Sequence, residues 1–141
     1  MNQNQLVNKF NIWKPVEGIN DIPFFHQFSD GPDQCFLIIE WIEKEVTIKK
    51  MKISFPKNIA YRVIDEGKRL RNDTIFEHHP DNKSWCFYKT SESDFIAWVN
   101  DQNYEIDKGR LTHFLIKTQD QILDIIQLSD EWALPKCEWI K

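Results

Sequence analysis

The sequence predicts an α+β fold: a mainly antiparallel sheet of five or six strands with one clear helix, at about residues 92–102, packed on it. Three observations carry this. Short apolar runs rich in isoleucine, valine and phenylalanine alternate with polar turns along most of the chain. A single stretch, opening at Ser91, repeats its apolar residues at helical spacing. The 141 residues, 41% hydrophobic and 28% charged, suit one domain over residues 1–141 that folds without staples.

Residues 1–23 are loosely patterned, broken by Trp13-Lys14-Pro15 and Ile22-Pro23. Asp30-Gly31-Pro32-Asp33 reads as a turn. The run 35–42 is almost continuously apolar, the pattern of a strand buried on both faces. In 46–55 the phase changes: Val46 and Ile48 share one parity, Met51, Ile53 and Phe55 the other. A β-bulge near Lys49-Lys50 would restore a single core face. Pro56-Lys57-Asn58 ends this strand and 59–64 begins the next, which predicts a three-strand antiparallel meander.

Residues 66–82 are polar and read as a long surface loop, the kind that often carries function. A strand at 84–88 follows. Ser91-Glu92-Ser93-Asp94 supplies a helix cap, and the spacing of Phe95, Trp98 and Val99 puts Trp98 in the core. Residues 111–117 are strand-like. The run 122–128 is ambiguous: Thr118 with Gln121 mimics a capping box, whereas its isoleucines favour a strand. Of the six tryptophans, Trp41 and Trp98 read as core. Trp13, Trp132 and Trp139 are candidate exposed anchors.

The net charge of −4 argues against a nucleic-acid partner, because phosphate neutralisation requires a basic face. The short clusters Lys49-Lys50-Met51-Lys52 and Lys68-Arg69-Leu70-Arg71 have acidic residues beside them. Three widely spaced cysteines, Cys35, Cys86 and Cys137, suit a reducing compartment. With no leader-like start and no apolar run of about 18 residues, the expectation is a cytoplasmic protein without a membrane partner.

No motif announces chemistry. His78-His79 lacks metal-ligand spacing, so neither metal nor cofactor is expected. Cys86 and His113 lie in neighbouring strand-like segments and form a conceivable nucleophile and base, without flanking signatures. Asp65 and Glu66 sit at a strand end, where an Arg62–Glu66 ion pair is the plainer reading than acid–base work.

The order Tyr61-Arg62-x-x-Asp65-Glu66, Trp85-x-Phe87, Ser93-x-Phe95-x-x-Trp98 and His113-Phe114-x-Ile116-x-Thr118 resembles small cytoplasmic immunity proteins of bacterial polymorphic toxin systems, of the contact-dependent inhibition and Rhs types. The likeness covers about residues 55–128. Where such families carry a glycine soon after the helix, this chain has Asn103-Tyr104-Glu105-Ile106. The resemblance implies a non-enzymatic inhibitor that binds a cognate toxin and blocks its active site or substrate access. Toxins acting on nucleic acids carry basic clefts, so the expected contacts are acidic. They are Asp65, Glu66 and Asp73 beside the 66–82 loop, and Asp101, Tyr104 and Glu105 after the helix. The alternatives are a small enzyme using the His78/His79 loop or Cys86 with His113, and a scaffold subunit of a larger complex.

Overall fold

A computed structural model describes residues 8–68, 74–76 and 85–140. In chain order these form β1 (Asn8–Ile12), β2 (Phe24–Asp30), β3 (Cys35–Glu43), β4 (Val46–Ser54), β5 (Asn58–Asp65) and β6 (Thr74–Phe76). There follow β7 (Phe87–Thr90), α1 (Asp94–Gln102), β8 (Leu111–Lys117), β9 (Gln121–Leu128) and β10 (Lys136–Ile140). The strands make two sheets, ordered β5-β9-β8-β7-β1-β6 and β10-β4-β3-β2. Every pairing is antiparallel except that of β1 with β6. The fold is α+β, mainly antiparallel, with one α-helix among the described residues.

The core lies between the sheets. From the smaller sheet, Leu37, Ile39 and Trp41 of β3 and Met51 and Ile53 of β4 point inward and are buried. They meet Phe87, Phe114, Ile116, Leu123 and Ile125 of the larger sheet in one cluster. Phe36, Ile38 and Glu40 on the other face of β3 are only half-buried, so β3 is covered on one face rather than two.

The bulge is present one residue before the expected place. Trp41 pairs with Lys49 and Ile42 with Thr47, leaving Ile48 as the extra residue. It does not return Val46 and Ile48 to the core, because both stand exposed at the tip of the β3–β4 hairpin. Lys44 and Glu45 make the two-residue turn with φ of 51° and 65°. That left-handed pair suits Asn-Gly far better than Lys-Glu. The Lys44→Asn/Glu45→Gly variant should gain about 1 kcal/mol, seen as a higher urea midpoint at unchanged slope. An unchanged or lower midpoint would show that the hairpin tip is not strained.

The expected meander stops after two strands. The edge of β4 beside which β5 would pair is occupied by β10, in register from Lys136 opposite Ser54 to Ile140 opposite Lys50. After the Pro56-Lys57 turn the chain therefore crosses to the other sheet, where β5 pairs with β9. The 121–128 segment is a strand, buried from Ile122 to Leu128 because both of its faces are covered. One face joins the inter-sheet core; Ile126 and Leu128 on the other pack with Phe95, Ile96 and Val99 of α1. Ser93 caps α1, its hydroxyl oxygen accepting from Ile96 N at 3.1 Å.

Trp98 is not a core residue. It is 55% exposed, because the short helix buries only the stripe Phe95-Ile96-Val99 on the sheet and Trp98 lies on its flank. Trp41 is buried as expected. Trp13 packs half-buried on the core, and Trp132 and Trp139 are exposed. Trp139 also stacks against Trp41, with Lys49 over both rings.

Candidate functional site

Four polar residues converge beneath the N-terminus of α1. Arg62 on β5 lies opposite Asp124 on β9, and His113 on β8 lies one diagonal step away on the same face. Arg62 Nε donates to Asp124 Oδ2 at 3.0 Å. His113 Nε2 is 2.6 Å from Asp124 Oδ1, and His113 Nδ1 is 2.8 Å from Ser93 Oγ. An ionised carboxylate accepts only, so His113 Nε2–H donates to Asp124; in the neutral ring Nδ1 then accepts from the Ser93 hydroxyl. Asp124, His113 and Ser93 are 0%, 1% and 3% exposed.

Serine, histidine and aspartate are the residue types of a hydrolytic triad. Here the serine oxygen is enclosed and already serves as the helix cap. The chain of bonds fixes two things instead: the start of α1 on the sheet, and the guanidinium of Arg62. The anticipated Arg62–Glu66 pair does not form, since β5 ends at Asp65 and Asp124 holds Arg62 from the neighbouring strand.

Arg62 opens into a cleft of about 690 Å³ between the first half of β5 and α1. Its walls include Tyr61, Phe95 and Trp98, and Asp30 and Asp94 also line it. The Arg62 guanidinium lies 4.5 Å from the Phe95 ring centroid, and Phe28 packs on Tyr61 at 4.7 Å. A second cleft, about 450 Å³, runs along the other flank of α1 between Ser91 and Lys108.

None of the described residues expected to bind a partner lines the first cleft; they stand on separate elements. Asp65 is exposed about 10 Å along β5 beyond Arg62, at the strand rise of roughly 3.3 Å per residue, and the exposed Glu66 opens the short helical turn that follows. Asp65 Oδ1 accepts from Gly67 N. Asp101 continues the outward side of α1, three residues after Trp98. Tyr104 and Glu105 follow in the turn, with φ of 56° and 61°, the conformation a glycine would take without strain. Tyr104 is 94% exposed, so packing does not account for keeping a bulky residue there. Asp73, His78 and His79 lie outside the described residues.

Sequence reasoning missed Arg62, Asp124 and Trp98 as site residues. Its one usable signal was a histidine and an aspartate inside adjacent, otherwise apolar strands, where each needs a partner.

Cys86 and His113 do not meet. Thr90 is the register partner of His113, while the Cys86 carbonyl accepts from Lys117 at the other end of β8. Burial pushes the Cys86 thiol well above its ordinary value. Burial, reinforced by Asp30, takes Cys35 up to about 12, and burial takes Cys137 up to about 12. At pH 8 a thiol at that value is thiolate in only about one molecule in ten thousand. Native protein should therefore react with a disulfide reagent such as DTNB only as it unfolds, and with three equivalents in denaturant. A fast-reacting thiol in the native state would refute this description. Among the described residues, no group of three His, Cys, Asp or Glu side chains is placed to hold a metal ion. No helix there is long and apolar enough to cross a membrane. Comparison with protein-family models, curated proteins and solved structures finds no match to this chain.

Proposed function

We propose that this chain is an immunity protein, a cytoplasmic inhibitor that binds a cognate bacterial toxin domain and blocks its active site or substrate access. The observation that carries the reading is the cleft in which Trp98, Tyr61 and Arg62 stand together, partly exposed. Tryptophan, tyrosine and arginine are the residue types most enriched in binding hot spots. The cleft is open, and Tyr104 stands exposed after the end of α1. The resemblance over residues 55–128 points the same way. The net charge of −4 favours encounter with a basic toxin domain.

An inhibitor of this kind should bury about 1,600 Å² in total. The test is to co-express this protein with the toxin domain encoded beside its gene and to follow growth. The expected result is rescue, with a stoichiometric complex isolated by size exclusion. A wild-type protein that neither protects nor binds would end the immunity reading.

A further inference from the structure

We propose that the open edge of β5 binds a second copy of this chain, by antiparallel strand pairing about a twofold axis at Val63. The inference goes beyond the immunity reading and does not depend on it.

The backbone hydrogen bonds show which groups of β5 are open. Glu66 N donates to Asp120 O, and the register of β5 on β9 sets these two residues opposite each other. In an antiparallel ladder, alternate residues turn both of their backbone groups to the same neighbour. In the regular stretch from Ala60 to Asp65, the even-numbered residues therefore bond to β9. Tyr61, Val63 and Asp65 turn their N–H and C=O groups to the other side. β5 ends the sheet order, and among the described residues no strand pairs with that side.

Sheet edges are ordinarily blunted by shortness, charge, proline or a bulge. β6 is three residues long, β10 carries Lys136 and Glu138, and β2 is broken by a bulge between Phe25 and Gln27. β5 has its bulge at the start, before Ala60. It then runs regularly through Tyr61, Val63 and Ile64, which are 42%, 37% and 36% exposed. Arg62, the basic residue among them, is held by Asp124. Such an edge is a template for another strand.

The sequence of β5 selects its own copy. Directly opposite residues in an antiparallel pair point to the same face, so a twofold axis sets one residue against itself. About Arg62 it would oppose two guanidinium groups, and about Asp65 two carboxylates. About Tyr61 the bulge cuts the ladder short; about Ile64 only Val63, Ile64 and Asp65 remain in strand. About Val63 the whole stretch 61–65 pairs. Val63 meets Val63 of the second copy, Tyr61 meets its Asp65, and Arg62 meets its Ile64. No like charges face each other, and about six backbone hydrogen bonds form. The same register carries the exposed Lys68 of one copy towards Asn58 of the other, whose side chain donates to the exposed Asp30. Opposite charges therefore flank the ladder at both ends.

The test uses the full chain in sedimentation velocity between about 10 µM and 1 mM, because a single strand pair lies at the small end of specific interfaces and gives a weak dimer. Wild type should pass from monomer to dimer over this range. Val63→Lys and Val63→Glu should each stay monomeric, since like charges then face across the axis. An equimolar mixture of the two should regain the dimer, because opposite charges meet. Val63→Cys is a milder change and keeps the test decisive where a charged variant loses the wild-type urea midpoint. Cα atoms of a hydrogen-bonded pair lie about 5.5 Å apart, within disulfide reach, so glutathione disulfide should convert this variant to a covalent dimer. Asp65→Cys, displaced about 13 Å along the strand from its own copy, should not cross-link. Four results would each overturn the inference: wild type monomeric at about 1 mM, charged variants that dimerise as wild type does, folded variants whose mixture stays monomeric, or Asp65→Cys linking as readily as Val63→Cys.

Discussion

Replacing Asp124 with alanine should lower the free energy of unfolding by about 1–3 kcal/mol at neutral pH, the range for leaving a buried donor without its acceptor. Asp124 is fully buried and receives Arg62 on one carboxylate oxygen and His113 on the other. Its removal strands the Nε2 proton of a histidine that is 1% exposed. The loss then passes to Ser93, whose hydroxyl is oriented by that histidine while its oxygen caps α1. Asp124→Asn should cost less, since the amide oxygen still accepts one of the two donors. Urea unfolding followed by tryptophan fluorescence measures both variants. A loss under about 1 kcal/mol for Asp124→Ala would mean that the buried chain contributes as little as a surface pair.

What the sequence made legible follows from which interactions are local. Strand 111–117 was readable, and 121–128 leaned towards a strand, because burial of most of their length left nearly continuous apolar runs; 35–43 was readable because its half-buried face is largely apolar too. The helix was readable because Ser93 and the apolar triplet behind it lie within seven residues. Strands β1, β2, β6 and β10 escaped notice for the opposite reason, β6 lying inside the run 66–82 that reads as a loop. They lie at or near sheet edges, carry sequences such as FFHQFSD and KCEWI, and owe their pairing to distant partners. The failed meander has the same origin, since nothing near Asn58 announces that a strand some eighty residues later takes the place beside β4.

The site divides in the same way. Exposed acidic residues at chain reversals were visible, and Asp65, Glu66, Asp101 and Glu105 are indeed exposed. The bond between Arg62 and Asp124 spans 62 residues, whereas local spacing offered Glu66 four residues away. Local spacing won the sequence reading; the sheet register decides the structure.

Trp98→Ala should leave folding nearly intact and weaken toxin binding by about thirtyfold or more, the threshold of a hot spot at roughly 2 kcal/mol. The helical spacing of Phe95, Trp98 and Val99 argued for a core role, which would have cost about 3–5 kcal/mol of stability on truncation. The structure reverses that expectation. Trp98 is 55% exposed, touches Phe95 at a ring separation of 6.1 Å, and turns the rest of its surface to the cleft that holds Arg62. A half-exposed ring with one aromatic neighbour gives up little on truncation, so the expected stability change is below about 1 kcal/mol. Buried under a partner, the same indole would desolvate a large apolar area and keep a donor for a hydrogen bond. The two measurements are a urea midpoint for the free protein and a calorimetric titration with the toxin domain. A large fall in midpoint would return Trp98 to the core, and unchanged affinity at unchanged stability would move the partner surface away from this cleft.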